Sequence, residues 1–450
     1  MGCGYLGAVH AAAMVELGHE VVGLDVDAAK VALLREGRAP FYEPGLPELL
    51  TSGIASGRLR FGTDIADAAG AAIHFVAVGT PQLPGRAAAD LRFVDAAIEA
   101  LLPHLAPGDL VVGKSTVPVG TAERLAARVR TVGAELAWNP EFLREGYAVR
   151  DTISPDRLVY GLPREGLDDL RGDDDATGAG RVVRDSAAAR AKGLLDDVYA
   201  TALVRGTRCV VTDYATAELV KVAANAFIAT KISFINAMAE IAEVTGADVT
   251  QLADAIGFDE RIGRRFLNAG IGFGGGCLPK DIRAFVARAE ELGRGESVAF
   301  LTEVDAINLR RRDRVVELVL EALGGEPQQK RVAVLGLAFK PESDDIRDSP
   351  ALDVAVRLRG LGAKVTATDP QAIENARRIH PQLTYAETAE KALRDADVVV
   401  LVTEWRQYRD LVPEEVARFA RGRAIIDGRN VLDARAWRAA GWAYRGLGRP

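Results

Sequence analysis

Short apolar runs that alternate with Ala-rich amphipathic stretches constrain this chain more than any other feature. VVGL at 21–24 is followed by AAKVALLREG, IHFVAVG at 73–79 by LRFVDAAIEALLPHL, and then comes LVVGKS at 110–115. Such alternation predicts a parallel sheet wrapped by helices. From Asp213 the rhythm changes to TAELVKVAANAFIATKISFINAMAEIAEVTG, with apolar spacing of three and four and no Pro or Gly before Gly246, which predicts one long helix linking domains. More helical sequence follows around 300–323, and GGEPQQK at 324–330 reads as a linker. Strand, turn and helix then restart with RVAVLGLAFKP. Both ends share a plan: a Gly turn, a helix with a Gly near its end (Gly18, Gly362), and a strand ending in Asp (Asp25, Asp369). The expected fold is α/β, with two Rossmann-like doubly wound parallel-sheet domains, at 1–200 and 331–450, and a helical middle domain at 201–323. The polar, Gly-punctuated segment 161–193 fits neither pattern and is expected to be a mobile surface insertion.

At 450 residues the chain has length for about three domains. Its 56 Lys and Arg against 63 Asp and Glu give a net charge of −7, scattered rather than blocked, which argues against nucleic-acid and acidic-membrane partners. No run approaches the roughly 18 uninterrupted apolar residues of a membrane span. Three cysteines, an odd number, and no cationic, apolar leader point to a reducing cytoplasm.

Five constellations could carry chemistry. GCGYLG places Gly2, Gly4 and Gly7 in the G-x-G-x-x-G pattern, with Tyr5 and Leu6 inside it and Asp25 eighteen residues after Gly7. In a Rossmann unit the glycines admit a pyrophosphate to a helix N-terminus and the acid accepts the ribose hydroxyls, which favours NAD over NADP. The motif should follow a strand, yet only Met1 precedes it, so the first strand of the sheet is expected to be missing. Translation starting roughly six to ten residues upstream would supply it; without it, the N-terminal domain is expected to bind NAD more weakly and to be less stable than the C-terminal one.

In GIGFGGGCLPKDIRAF, at 270–285, packed glycines bring backbone close to something beside Cys277, and Lys280 could activate the thiol; a Gly-rich turn with a buried, inert cysteine reads equally well. VVGKSTVPVGT, at 111–121, is a plain strand end or a site. In WNPEFLREG, Glu141 and Glu145 stand four apart and so on one helical face, where a solvated pair is the commoner explanation. Lys221 and Asn225, four apart on the long helix, are either satisfied core groups or functional ones.

Together with YEPGL at 42–46, RIGRRFLNAGIGFGGGCLPKD, LGLAFKPESDDIRDSP, TEW at 403–405 and DGRNVLD, these runs resemble the UDP-glucose 6-dehydrogenases, within the UDP-glucose/GDP-mannose dehydrogenase family. The resemblance covers nearly the whole chain, in family order. It implies oxidation of a sugar C6 alcohol to a carboxylate with two NAD⁺, with no metal. By that likeness Cys277 is the nucleophile, Lys221 and Asn225 stabilise oxyanion charge, Asp281 is the acid beside the cysteine loop, and Thr116 and Glu141 position or activate water. Gly2, Gly4, Tyr5, Leu6, Gly7, Asp25, Lys30, Thr80, Ser115, Glu145 and Arg347 match cofactor contacts. Leu143, Phe266, Phe273, Gly274, Lys340 and Arg429, with Glu141, Lys221 and Asn225, match contacts to the nucleotide sugar, UDP-glucose, in a cleft between the α/β domains. Arg261 matches an arginine that reaches in from a neighbouring subunit, which implies a homodimer built on the long helix. On their own, Lys340 and Arg429 read as surface charge. The alternatives are a sibling acting on GDP-mannose or a UDP-N-acetylhexosamine, a hydroxyacid dehydrogenase making one oxidation, and an inactive nucleotide-sugar-binding relic truncated at the N-terminus.

Overall fold

A computed structural model describes residues 1–171 and 186–450. The chain divides into two compact units, Met1–Ala224 and Asn225–Pro450. In the first, strands β1 (Val21–Leu24) and β2 (Leu59–Gly62) form a two-stranded parallel sheet. Strands β3 (Ile73–Val76), β4 (Leu110–Gly113), β5 (Glu135–Trp138), β6 (Arg157–Leu162) and β7 (Arg208–Asp213) form a second sheet in chain order. Adjacent residues of β4 and β5 point into different cores, Val111 and Leu136 into one and Leu110, Val112 and Ala137 into the other, as a strand covered on both faces requires. One departure from the expected parallel sheet is β6, which runs antiparallel to β5 through Trp138 and Gly161. Strand direction leaves no trace in a short apolar run.

The residues ahead of the first helix bridge the two sheets. Gly2 donates from its backbone N to Leu24 O at 2.8 Å beside β1, while Ala77 N donates to Met1 O at 2.8 Å and the Met1 ammonium donates to Phe75 O at 2.6 Å beside β3. Met1 and Gly2 therefore bond to the backbone of both sheets. The first regular element is the helix Tyr5–Glu16.

The proposed insertion at 161–193 is narrower than expected. Gly161 and Leu162 end β6, Leu167–Arg171 is helical, and Ala187–Val198 is a helix that buries Ala187, Ala188, Ala191 and Leu195. Those apolar contacts were hidden by the polar residues beside them, and the part of the segment at 172–185 lies outside the described residues.

In the second unit, β8 (Arg331–Leu335), β9 (Lys364–Thr368), β10 (Thr384–Tyr385), β11 (Val398–Leu401), β12 (Ala424–Asp427) and β13 (Ala443–Gly446) form one fully parallel sheet. Its order, β10-β9-β8-β11-β12-β13, is the doubly wound dinucleotide-fold order. Val332 and Val334 of β8 enter one core and Ala333 and Leu335 the other, so both faces are covered. The helices Val249–Gly257, Leu278–Glu291 and Phe300–Ala322 precede this sheet.

The predicted long helix runs from Tyr214 to Thr245, and the division between units falls within it. By length and composition it could cross a membrane, although polar residues interrupt its apolar runs. Its buried face nevertheless carries Glu218, Lys221, Asn225 and Asn236, each hydrogen-bonded to a protein group, as in a core helix.

Candidate active site

The turn before the first helix fits a pyrophosphate. A Cβ on Gly7 would lie 1.7 Å from Gly2 O, so the helix packs on the turn only without one, whereas nothing lies within 4 Å of the corresponding point on Gly4, the N-cap. Backbone N–H groups are thus open to an anion at a helix N-terminus. Asp25 ends the neighbouring strand and accepts hydrogen bonds from Cys3 N at 2.7 Å, Asp27 N at 3.0 Å and Lys30 Nζ at 2.9 Å. Burial works against its ionisation, but the Asp27 amide, the Lys30 ammonium and the Cys3 amide outweigh it and hold the carboxyl below its ordinary range. Thr80 Oγ1 donates to Thr116 O at 2.8 Å and Ser115 Oγ donates to Val78 O at 2.6 Å, which ties together the ends of β3 and β4.

Glu141 and Glu145 do not share a helical face. Residues 139–146 form a loop, because Pro140 lacks an N–H and Glu141 Oε2 instead accepts from Leu143 N at 2.7 Å. The structure brings Glu141 to Lys221: Nζ lies 2.9 Å from Oε1, and both side chains are nearly buried. Leu143 packs against the same buried cluster as Tyr5 and Phe41.

In the second unit Cys277 is exposed, at the N-cap of Leu278–Glu291, so it is not the inert core cysteine that the sequence also allowed. First-turn N–H groups have no partner within a helix and favour negative charge beside them. Burial pushes the thiols of Cys3 and Cys209 up to about 11, which removes both as nucleophiles at neutral pH. One turn into the same helix, buried Asp281 donates its N–H to Cys277 O at 2.9 Å and accepts from Asn225 Nδ2 at 2.7 Å and Lys280 Nζ at 2.6 Å. The Lys280 ammonium, which the sequence allowed as an activator of the thiol, pairs with Asp281.

The Gly-rich loop ahead of Cys277 is held from all sides. Gly270 N donates to Asn236 Oδ1 at 2.8 Å, Phe273 exchanges two hydrogen bonds with the Asn308 amide at 2.7 and 3.0 Å, and Gly276 N donates to Asp345 Oδ2 at 3.3 Å. A Cβ on Gly274 would meet Asp348 O at 2.3 Å. Asn236 and Asn308 are fully buried. Sequence reasoning missed both; Asn308 sits between Val304 and the buried Arg311 and Arg312 on its helix, so nothing in the local pattern singled it out.

Arg429 is a crosslink more than a surface charge: its guanidinium donates to Val402 O, Gly272 O and Phe339 O at 2.8 to 3.0 Å and pairs with Glu404 at 3.1 Å. Lys340 Nζ lies 5.5 Å from the Phe339 ring centre. Arg347 is clamped by Asp345 at 2.7 Å. Phe266 takes a φ of 65°, in the left-handed region, and is 44% exposed. Arg261 is exposed and paired with Asp259.

Comparison with known proteins agrees with this geometry. Models of the UDP-glucose/GDP-mannose dehydrogenase family match along the chain: its NAD binding domain at residues 1–168, its central domain at 215–310 and its UDP binding domain at 333–434. A UDP-glucose 6-dehydrogenase of Rhizobium meliloti is 38% identical over 455 residues, covering 100% of this chain and 99% of that protein. Among solved structures, a UDP-glucose dehydrogenase from the hyperthermophilic archaeon Pyrobaculum islandicum is 39% identical with a TM-score of 0.86, covering 100% of this chain and 96% of that one. A UDP-D-ManNAc dehydrogenase from Pyrococcus horikoshii is 26% identical with a TM-score of 0.82, covering 100% and 98%. An NAD-binding turn open at Gly4, an exposed cysteine at a helix N-cap and family matches along the chain lead to one conclusion: the protein belongs to the UDP-glucose/GDP-mannose dehydrogenase family and is an NAD-dependent oxidoreductase.

Proposed function

We propose that the protein oxidises UDP-glucose to UDP-glucuronate in two two-electron steps through a covalent adduct on Cys277. The observation that carries this reading is Cys277, exposed at its N-cap, one turn from the buried Asn225–Asp281 pair. NAD⁺, when bound, accepts a hydride, twice for each sugar. The first oxidation converts the C6 alcohol to an aldehyde and releases a proton. An aldehyde has no tetrahedral carbon from which to lose a second hydride, so the Cys277 thiolate adds to it and the resulting alkoxide takes up a proton. Loss of the second hydride and that proton from the thiohemiacetal leaves a thioester. Water adds to the thioester carbon and the thiolate departs, giving the carboxylate. Asn225 and Lys221 offer an amide and an ammonium to developing oxygen charge, and Glu141, with Thr116, orients the water.

Counting NADH formed per UDP-glucose tests the proposal: two supports it, one indicates a single oxidation, and none a binding protein. Running GDP-mannose and a UDP-N-acetylhexosamine in parallel tests the sibling reading, which likeness to the UDP-D-ManNAc dehydrogenase motivates. Cys277→Ala should abolish acid formation while nucleotide-sugar affinity, measured by calorimetry, stays within about threefold. Unchanged turnover would remove the thiol from the mechanism.

The protein is further proposed to be a cytoplasmic homodimer. Phe227, Phe234 and Ile241 repeat every seven residues on the long helix and are 67, 49 and 57% exposed, an apolar stripe suited to a second copy. Replacing Phe227 and Phe234 by Ser should halve the mass found by sedimentation equilibrium; a wild type that is already monomeric would overturn the proposal.

A further inference from the structure

Glu43, the acid of the YEPGL run, has no part in the reading above, and the structure gives it one. Its side chain is 2% exposed, and among the described residues it forms no ion pair. A buried carboxylate without a cation must be satisfied by dipoles. Here Gly146 N donates to Oε2 at 2.7 Å and Ala148 N to Oε1 at 2.7 Å, with Val149 N at 3.4 Å. The fourth donor is the hydroxyl of Tyr5, which also accepts from Gly146 N at 2.8 Å. Tyr5 was expected among the cofactor contacts; its hydroxyl is spent on this cluster, and burial, followed by Glu43, pushes its pKa upward.

The donors come from two places that matter. Tyr5 is the first residue of the helix behind Gly4, on the dinucleotide turn. Gly146 closes the loop that carries Glu141, Leu143 and Glu145, and it does so at a φ of 77°, which favours glycine. That loop has no helical hydrogen bonds of its own to fix it. We propose that Glu43 is a positioning residue: with Tyr5 it fastens the Glu141–Glu145 loop to the NAD-binding turn, so that the Glu141 carboxylate keeps its place beside Lys221 only while that turn is formed.

The inference rests on the proposed oxidation of UDP-glucose for its kinetic readout, but not for its structural one. Glu43→Gln keeps the shape and sets an amide N–H₂ against backbone donors, and Tyr5→Phe removes only the hydroxyl. Full-length wild type and variants are compared by hydrogen exchange and by steady-state kinetics over pH. The expected result is at least tenfold faster exchange across residues 143–149 in both variants, with β3, β4 and β5 unchanged. kcat should fall about tenfold or more in Glu43→Gln, with the KM for NAD⁺ within about threefold and a displaced pH profile, because Glu141 and Lys221 are no longer held together. The double variant should lose less than the product of the two single losses, since the single variants share Gly146 N. If exchange across residues 143–149 is unchanged in both variants, or kcat falls only in proportion to the folded fraction with an unmoved pH profile, the proposal fails. A wild type inert toward UDP-glucose refutes the functional reading alone, and the exchange arm still decides for or against the clamp; should Glu43→Gln not fold, Tyr5→Phe decides it.

Discussion

Lys114 shows what one side chain reveals beyond sequence spacing. It follows β4 directly and is buried, with Nζ 2.8 Å from Asn139 Oδ1 and 3.1 Å from the Tyr199 hydroxyl, and among the described residues no carboxylate lies within ion-pair distance. Burial lowers its pKa to about 8, with Glu141 opposing and Lys221 adding to the effect. An unfolded lysine titrates near 10.4. Below pH 8 both states hold the proton, and the folded state bears the cost of the buried charge. Between about 8 and 10 the unfolded state holds a proton that the folded state has released, so stability from this residue rises with pH, by up to about 1.4 kcal/mol per pH unit. Comparing denaturant unfolding of wild type and Lys114→Met from pH 7 to 10 checks this. The difference should move in favour of wild type as pH rises, and a flat difference would count against a depressed Lys114.

At the scale of elements, the Gly-rich loop depends on side chains from helices distant in sequence. Asn308→Ala would leave the Phe273 N–H and C=O unpaired in a dry environment, a cost of roughly 2–5 kcal/mol. Asn308→Asp keeps the acceptor for Phe273 N but sets its other oxygen against Phe273 O, so it should fall between the two. Denaturant unfolding gives the stability, and the alkylation rate of Cys277 should change in the same order as the loop loosens; equal rates in all three proteins would separate the loop from the thiol. Elements of this kind set the limit of sequence reading. The runs at 21–24, 73–79 and 110–115 contain β1, β3 and β4, since apolar period and burial are local matters. Glu141 and Glu145 misled because their spacing is helical while the loop's geometry is set by Glu43, about a hundred residues away. Asn236 and Asn308 were invisible because a helical amide carries no mark of the backbone it will bond, here 34 and 35 residues away.

For the molecule as a whole, one plan appears in both units with opposite chemical results, and two aspartates decide it. Asp25 accepts three donors, one of them the partly exposed Lys30 ammonium, beside a turn whose Gly4 is open. A carboxylate has about four lone-pair sites, so room remains for a ribose hydroxyl. Asp369 ends the equivalent strand, β9, but takes five donors: Leu337 N, Ala338 N and Trp405 Nε1 on one oxygen and Gln371 N and Ala372 N on the other, all within 3.1 Å. Leu337 and Ala338, fully buried, stand where the first unit has an approachable turn, and a Cβ on Gly336 would meet Thr403 at 2.3 Å. The second Rossmann-like sheet thus uses its acid to close the dinucleotide position instead of serving it. Asp25→Asn should weaken NAD⁺ binding by about tenfold or more, since a charge-assisted hydrogen bond worth roughly 1.5–3 kcal/mol is lost. Asp369→Asn turns an N–H₂ toward backbone donors and should cost roughly 2–4 kcal/mol of stability while leaving NAD⁺ affinity within twofold. Calorimetric titration with NAD⁺ and denaturant unfolding of both variants make the comparison, and an Asp369→Asn protein that folds stably but loses NAD⁺ as Asp25→Asn does would show that the closed position binds dinucleotide after all.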